Sequence, residues 1–462
     1  MREERLVLHP FEDLKIYDYR SVQEANEHAW AWVEGMIPFE QWEEYRKAGG
    51  RETWVQVIAV SEAENRILFY GVVEQLDVKI EDQTCNVSLR LCSGTRLMDY
   101  KEHIRSFQDK DFSYDYLLDT CGREYINWAK IMTEGKGRSI GELIVQYRET
   151  DWEFIKRLAS MNHTMVFADC YTKGEKYHFG IPERPMIQEE ISGEFHTRFH
   201  MGECWEKRNQ GLAAGMEDAM TYVWKTREIH KLGERKVIDG RDLYIWKIET
   251  RLEGNELYHT YSMKPRSGFR VPFYHNSRAA GVSLMGNVLD VRDEKVQIRL
   301  WDDENKQGAG AKWFSFSTVY SSADGTGWYC MPEIGDAVRL YFPTPREKEA
   351  YVASTYHEER AGFRTRPECK SWRNRQGKEI RLSPGRILMT NNDGTYIELS
   401  DEKGIEMVSA GSVTVRAGGD VSITSANSYI ELDAPRKIRL RQGNTEMKLG
   451  GNINLEGARI RL

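Results

Sequence analysis

From residue 397 to the end of the sequence, apolar residues stand in pairs on alternate positions. The pairs are Ile397 and Leu399, Ile405 and Met407, Val413 and Val415, Val421 and Ile423, Ile430 and Leu432, Ile438 and Leu440, Met447 and Leu449, Ile453 and Leu455, and Ile460 and Leu462. A period of two marks a strand with one buried face. The first members step by 8, 8, 8, 9, 8, 9, 6 and 7 residues, an internal repeat of about one octapeptide. Eight residues supply one strand and one corner, so a single chain of this repeat leaves its apolar side wet. Three chains wound together make three walls with every pair facing inward. The paired residues are therefore expected in the core of a homotrimer. At ~4.8 Å per rung, its nine rungs form a rod on the order of 40 Å long. A flat meander is the competing arrangement. The Thr, Ser, Glu, Arg and Lys on the alternate positions suit the outside of a solvated rod and favour wound chains.

The rest of the sequence is too long for one core. Residues 1–104 read as a β-barrel-like lobe, with strands at 53–61, 66–80 and 85–94 and a helix expected over 21–35. A helical insertion covers 105–163. In it Ser113 is placed to cap a helix over 113–132, and Thr150 with Glu153 forms a capping box for a helix over 149–162. A second β lobe spans 164–275, with a hairpin around Lys173 and Gly174 and a helix over 205–231. Residues 276–358 carry short strands and turns, the pattern of an OB-fold barrel, with a hairpin at Asp293 and Glu294 and two strands within 327–342. A basic linker, 359–378, leads to the repeat at 379–462. The expected fold class is mainly β with helical insertions: two barrel-like lobes, an OB-fold and an intertwined triple-stranded β-helix.

Charge and cysteine usage narrow the function classes. Lys and Arg number 65 against 72 Asp and Glu, a net charge of -7, which argues against a dedicated nucleic-acid binder. The seven cysteines are scattered, with no C-x-x-C, so free thiols and folding in a reducing cytoplasm are expected. The first residues have charges and no apolar h-region, so no secretory signal is expected.

Particular segments resemble a known family. "VQYRETDWEFIKRLASMNHTMVFAD" (145–169) is similar to the "QYRE-S/T-D-x-x-F-x-x-R-L" stretch of VgrG and of the hub and spike proteins of contractile phage tails. "LFYGVVEQLDV" (68–78) and "SGTRLMDYKEHIRSFQDKDFSYDYLLD" (93–119) look like the family's first hub lobe and the passage after it. "GWYCMPEIGDAVRLYF" (327–342) is similar to its barrel signature, with Glu333 where arginine is usual. The resemblance covers nearly the whole sequence. It implies the central spike of a contractile injection apparatus, in a phage tail, a tailocin or a type VI-like system. Such a trimer caps the inner tube protein ring, sits among baseplate components and pierces a target envelope on contact. It also implies a PAAR-type tip protein, here expected at Arg459, Ile460, Arg461 and Leu462, and leaves room for non-covalent effector cargo.

No catalytic residue, metal site or cofactor is expected. Some family members carry an enzyme between barrel and needle or after the needle, but only about 20 linker residues lie between barrel and repeat, and the repeat runs to Leu462. Some spikes end in a His-x-His that binds iron, whereas no histidine follows His357. His196 and His200, with Glu203 nearby, lack the Glu of H-E-x-x-H and read as a surface pair. Asp420, Glu431, Asp433 and Glu446 read as solvated charges on the rod rather than glycosidase acids. A tailspike depolymerase is the rival function; it needs a carboxylate groove and leaves the first 270 residues unexplained.

Overall fold

The computed structural model describes residues 5–49, 52–61, 64–81, 83–191, 194–357 and 366–449. The chain divides into two compact units, Met1–His357 and Glu358–Leu462.

The first unit is built on an eleven-stranded sheet. One half carries Arg5–His9, Trp54–Val60, Asn65–Glu81, Thr84–Cys92, Trp30–Pro38 and Lys15–Glu24 in that spatial order. The other carries Arg241–Glu253, Glu256–Pro265, Met220–Thr226 and Glu194–Phe199, with Arg235–Ile238 on the side. Lys15–Glu24 pairs antiparallel with Arg241–Glu253, placing Ser21 opposite Thr250, so one ladder runs through both halves. The strand character is local: in Trp54–Val60 the buried residues are Val55, Val57 and Ala59, every second position.

The helix expected over 21–35 is not formed. Lys15–Glu24 and Trp30–Pro38 are an antiparallel hairpin instead. Trp30 and Trp32 are two residues apart, a strand spacing, and their rings stack at 6.4 Å on one face, with the Arg90 guanidinium over the first and that of Arg20 over the second. The helix expected over 205–231 is also shortened. A helix occupies Met201–Asn209, a 3-10 turn Met216–Ala219, and the following Tyr-Val-Trp run lies in the strand Met220–Thr226. Gly211, at φ +82°, ends the helix, and β-branched and aromatic residues take over.

The helical insertion follows its capping signals. Ser113 accepts from the Tyr116 amide at the start of Tyr114–Gly122, which ends well short of residue 132. Asp151–Met161 carries the full capping box, Thr150 accepting from Glu153 N and Glu153 from Thr150 N. These helices bury Leu117, Leu118, Trp152, Phe154, Ile155 and Leu158 in one core with Phe107. Val166–Ala168 pairs with Lys176–Phe179 as the expected hairpin, with Gly174 at φ +120°.

A five-stranded sheet follows, in the order Trp313–Ser315, Lys295–Leu300, Ser283–Arg292, Ala337–Tyr341, Tyr351–Tyr356. Its hairpin turns at Asp293, φ +51°. No strand forms over 327–336: Glu333–Asp336 is a hydrogen-bonded turn ahead of Ala337–Tyr341. The sheet is not a closed ladder, although one parallel bridge, Phe316 to Val352, links its two edges.

In the second unit, Lys370–Arg373, Glu379–Ser383, Arg386–Thr390, Tyr396–Ser400 and Gly404–Val408 form an antiparallel meander in sequence order. Part of the stretch read as a linker thus supplies a strand. Ile438–Gln442 and Thr445–Leu449 form a hairpin, and residues 409–437 form no strand. Over 370–408 the strands therefore pair within the chain, as in the meander arrangement that competes with wound chains.

Candidate functional site

The segment 145–169 folds into a buried ionic joint. Arg157, on the helix Asp151–Met161, is fully buried. Its Nε and Nη2 donate to the two carboxylate oxygens of Glu149, each at 2.8 Å, and Nη2 also donates to the Val145 carbonyl. Its Nη1 donates to Glu347 Oε1 at 2.8 Å, in the connection that enters the last strand of the five-stranded sheet. Burial alone would lower the Arg157 pKa, but the two carboxylates hold it well above its ordinary value. The guanidinium is thus a fixed positive centre with four of its five N–H groups bonded to oxygen.

A second cluster ties the same two layers. His103 and Arg105 lie on Glu102–Phe107, which pairs with Ile144–Thr150. Arg105 Nη1 donates to Asp151 Oδ1 and to Gln146 Oε1, and His103 Nδ1 stands 2.6 Å from Glu304 Oε2. Asp303 accepts from the Ser106 amide at 2.9 Å and from its hydroxyl. Burial opposes charge on His103, but the Asp151 carboxylate, 3.4 Å from its Nε2, together with Glu304 outweighs it and the pKa is raised. Burial likewise opposes charge on Asp151, and His103 with Arg105 hold its carboxyl below the usual range. Among the described residues, His103, Glu124 and Glu304 form the one group whose spacing suits a metal. Arg105 Nη2 already stands 2.9 Å from His103 Nδ1 and 3.5 Å from Glu124 Oε1, so a guanidinium holds the place a cation would take.

The sequence pattern marked Gln146, Glu149, Thr150, Asp151, Phe154 and Arg157 as a motif without showing what they touch. Glu347, the partner of Arg157, lies 190 residues away, and Glu304, the partner of the neighbouring His103, 201 residues from it; no local signal marks either.

The second unit exposes an apolar face. Registers align Leu382, Ile387, Leu399 and Ile405 in one row across four strands, and Ile380, Met389, Ile397 and Met407 in the next. Ile405 is 73% exposed and Met407 59%. Val413, Val415, Val421, Ile423, Ile430, Leu432, Leu440 and Met447 are exposed as well, while Ile438 and Leu449 are half-buried. Ile453, Leu455, Arg459, Ile460, Arg461 and Leu462 lie outside the described residues. The octapeptide count missed the pairs Ile380/Leu382 and Ile387/Met389, because the spacing breaks at the turn around Asn392 and Gly394. Their alternation was itself visible.

The weaker chemical candidates do not converge. His196 lies on the strand Glu194–Phe199 and His200 caps the next helix, while Glu203 pairs with Lys207 at 2.9 Å and Lys264 at 2.7 Å. Cys85 and Cys92 are buried free thiols. Glu446 is paired with Arg439, and Asp420, Glu431 and Asp433 are exposed.

No family model and no curated protein matches the sequence. Solved structures do match. One is the c3393 protein of E. coli, a component of the type VI secretion system with structural similarity to the T4 bacteriophage tail proteins gp27 and gp5. It matches at TM-score 0.53 and 13% identity, over 76% of this chain and 100% of that one. Another is the half-lidded Francisella PdpA-VgrG complex, at TM-score 0.56 and 8% identity, over 88% of each chain. The lidded form of that complex gives TM-score 0.54 and 9% identity, over 86% of this chain and 76% of that one. With its eleven-stranded sheet in two halves, five-stranded module and β repeat, the chain has a VgrG-like spike fold.

Proposed function

We propose that three copies of this chain form the central hub and spike of a contractile injection apparatus. The hub caps the inner tube ring among baseplate components, the β repeat forms the needle, and sheath contraction drives both into a target envelope. A PAAR-type protein covers the tip, and effector cargo rides non-covalently. The chain itself has a structural role and no catalytic one. The observation that carries this reading is the pair of apolar rows across the meander, continued by the exposed pairs from Val413 to Leu432. A row of large apolar side chains left in water is unfavourable by about 25 cal/mol per Å2, and burial against other copies removes that cost. The structural neighbours, a type VI secretion component and VgrG complexes, point to the same class of machine.

The test is the solution mass of the full chain by light scattering. A particle of three 53.8 kDa chains supports the spike. A monomer leaves the apolar rows uncovered and overturns it.

A further inference from the structure

A cleft of about 450 Å3 on the first unit is lined by Arg184, Arg235 and Arg266, with Tyr244, Ile181 and Pro182. A second, of about 430 Å3, shares Ile181 and Arg266 and adds His163, Phe269 and Arg270. Its wall is held in place. Gly233 sits at φ +83°, and Pro182 lies 2.8 Å from where a Cβ at Gly233 would stand, so the segment Ile181–Pro185 is pressed onto the loop before Arg235. Arg184 Nε donates to the Leu232 carbonyl at 3.1 Å, which orients its fork.

The charges do not balance. Among the described residues no carboxylate stands within ion-pair distance of Arg184 or Arg270. Arg235 has only Asp242 at 3.8 Å, and Arg266 has Glu134 at 3.0 Å. Glu134 and Glu183 are the only acids lining the two clefts. This positive excess sits on a chain whose net charge is -7. Arg184 is half-buried, and a guanidinium held there without an anion gives up hydration with no ion pair in return, while Arg235, Arg266 and Arg270 are exposed. Its fork is matched by a carboxylate through two parallel hydrogen bonds.

We propose that the joined clefts bind an acidic peptide segment of a partner protein. The carboxylates of that segment pair with Arg184, Arg235 and Arg270, and its apolar side chains lie on the exposed Pro185 and the half-buried Tyr244. The two clefts share Ile181 and Arg266 and spread Arg184, Arg235 and Arg270 over both, which suits a segment carrying several carboxylates rather than a single small inorganic anion. The inference stands on the charge and shape of the clefts and does not require the spike reading.

Fluorescence anisotropy of a labelled peptide alternating Glu and Val, titrated with the full chain, tests it. The same peptide with Lys for Glu is the control. The Glu peptide is expected to bind, to weaken as salt is raised, and to lose at least about tenfold in affinity in the Arg184→Glu, Arg235→Glu double variant, since each loses a charge-assisted pair. Arg299→Glu, on an exposed strand position elsewhere, is expected to bind as the unaltered protein does. Near-UV circular dichroism checks that the double variant is folded; if it is not, Arg184→Gln replaces it, with a smaller loss expected. No binding of the Glu peptide, equal binding of the Lys peptide, or unchanged affinity in a folded variant overturns the proposal. Displacement by inorganic phosphate alone also overturns it, because it assigns the clefts to a small anion.

Discussion

Arg157 donates to Glu347 across 190 residues of sequence, at 2.8 Å, with both side chains buried. The contact joins the helix Asp151–Met161 to the five-stranded sheet, so the motif segment fastens one layer of the molecule to another. Such a joint resists sliding between the layers better than an apolar contact, because a directional hydrogen bond between charges has one correct register.

Replacing Glu347 with Ala leaves Arg157 half-satisfied in a dry site. Breaking a buried pair from one side costs about 3–5 kcal/mol. Urea denaturation of Glu347→Ala at fixed protein concentration is expected to show a loss of that size. A change below about 1 kcal/mol, the worth of an exposed pair, would contradict the joint.

Gly94 tests the packing of the first half of the sheet on the 169–175 connection. A Cβ there would lie 2.0 Å from the Gly174 carbonyl oxygen and 2.7 Å from the Trp54 ring. The carbonyl cannot yield without moving backbone. Gly94→Ala is expected to cost about 3 kcal/mol, the upper end for overpacking, read as a lower thermal midpoint.

His259 sets an acid limit. Its Nδ1 bonds Thr250 Oγ1 at 2.8 Å, and burial, with His230 nearby, lowers its pKa from 6.5 to about 3. The unfolded chain takes up a proton across that interval and the folded chain does not. Stability from this group is therefore present above pH 6.5 and is lost as the pH falls toward 3. One proton corresponds to a slope of about 1.4 kcal/mol per pH unit. In His259→Gln, denaturation midpoints measured over this interval are expected to fall less steeply than in the unaltered protein.

Leu399 and Ile405 face each other across two strands of the meander. Changing both to Glu places two carboxylates in the row proposed to be covered by other copies. Light scattering is expected to show dissociation at concentrations at least about tenfold higher than for the unaltered chain, since burying unpaired charge is costly. An unchanged mass would mean that this row faces water in the assembly.

Much of the fold was legible because its signals are local. Ser113 and the Thr150–Glu153 box cap helices through bonds to amides at most three residues away. Asp293 turns a hairpin by its own backbone conformation. The apolar pairs announced strands with one apolar face wherever neighbours exist to pair with them. Where local signals conflict, tertiary contacts decide: Trp30 and Trp32 fall in a window that also suits a helix, and their stacking with Arg20 and Arg90 on neighbouring strands belongs to a hairpin.

The period-two repeat and the helix caps are legible in the residues alone, because each depends on residues a few positions apart. Only the tertiary structure decided that the motif residues Glu149, Asp151 and Arg157 are a joint, that Glu304 and Glu347 complete it, and that Arg184, Arg235 and Arg266 share a cleft. Those groupings depend on which strands meet in the sheet. Coulomb attraction and burial act through space, and the chain separation of two charges does not reveal whether folding brings them within 3 Å.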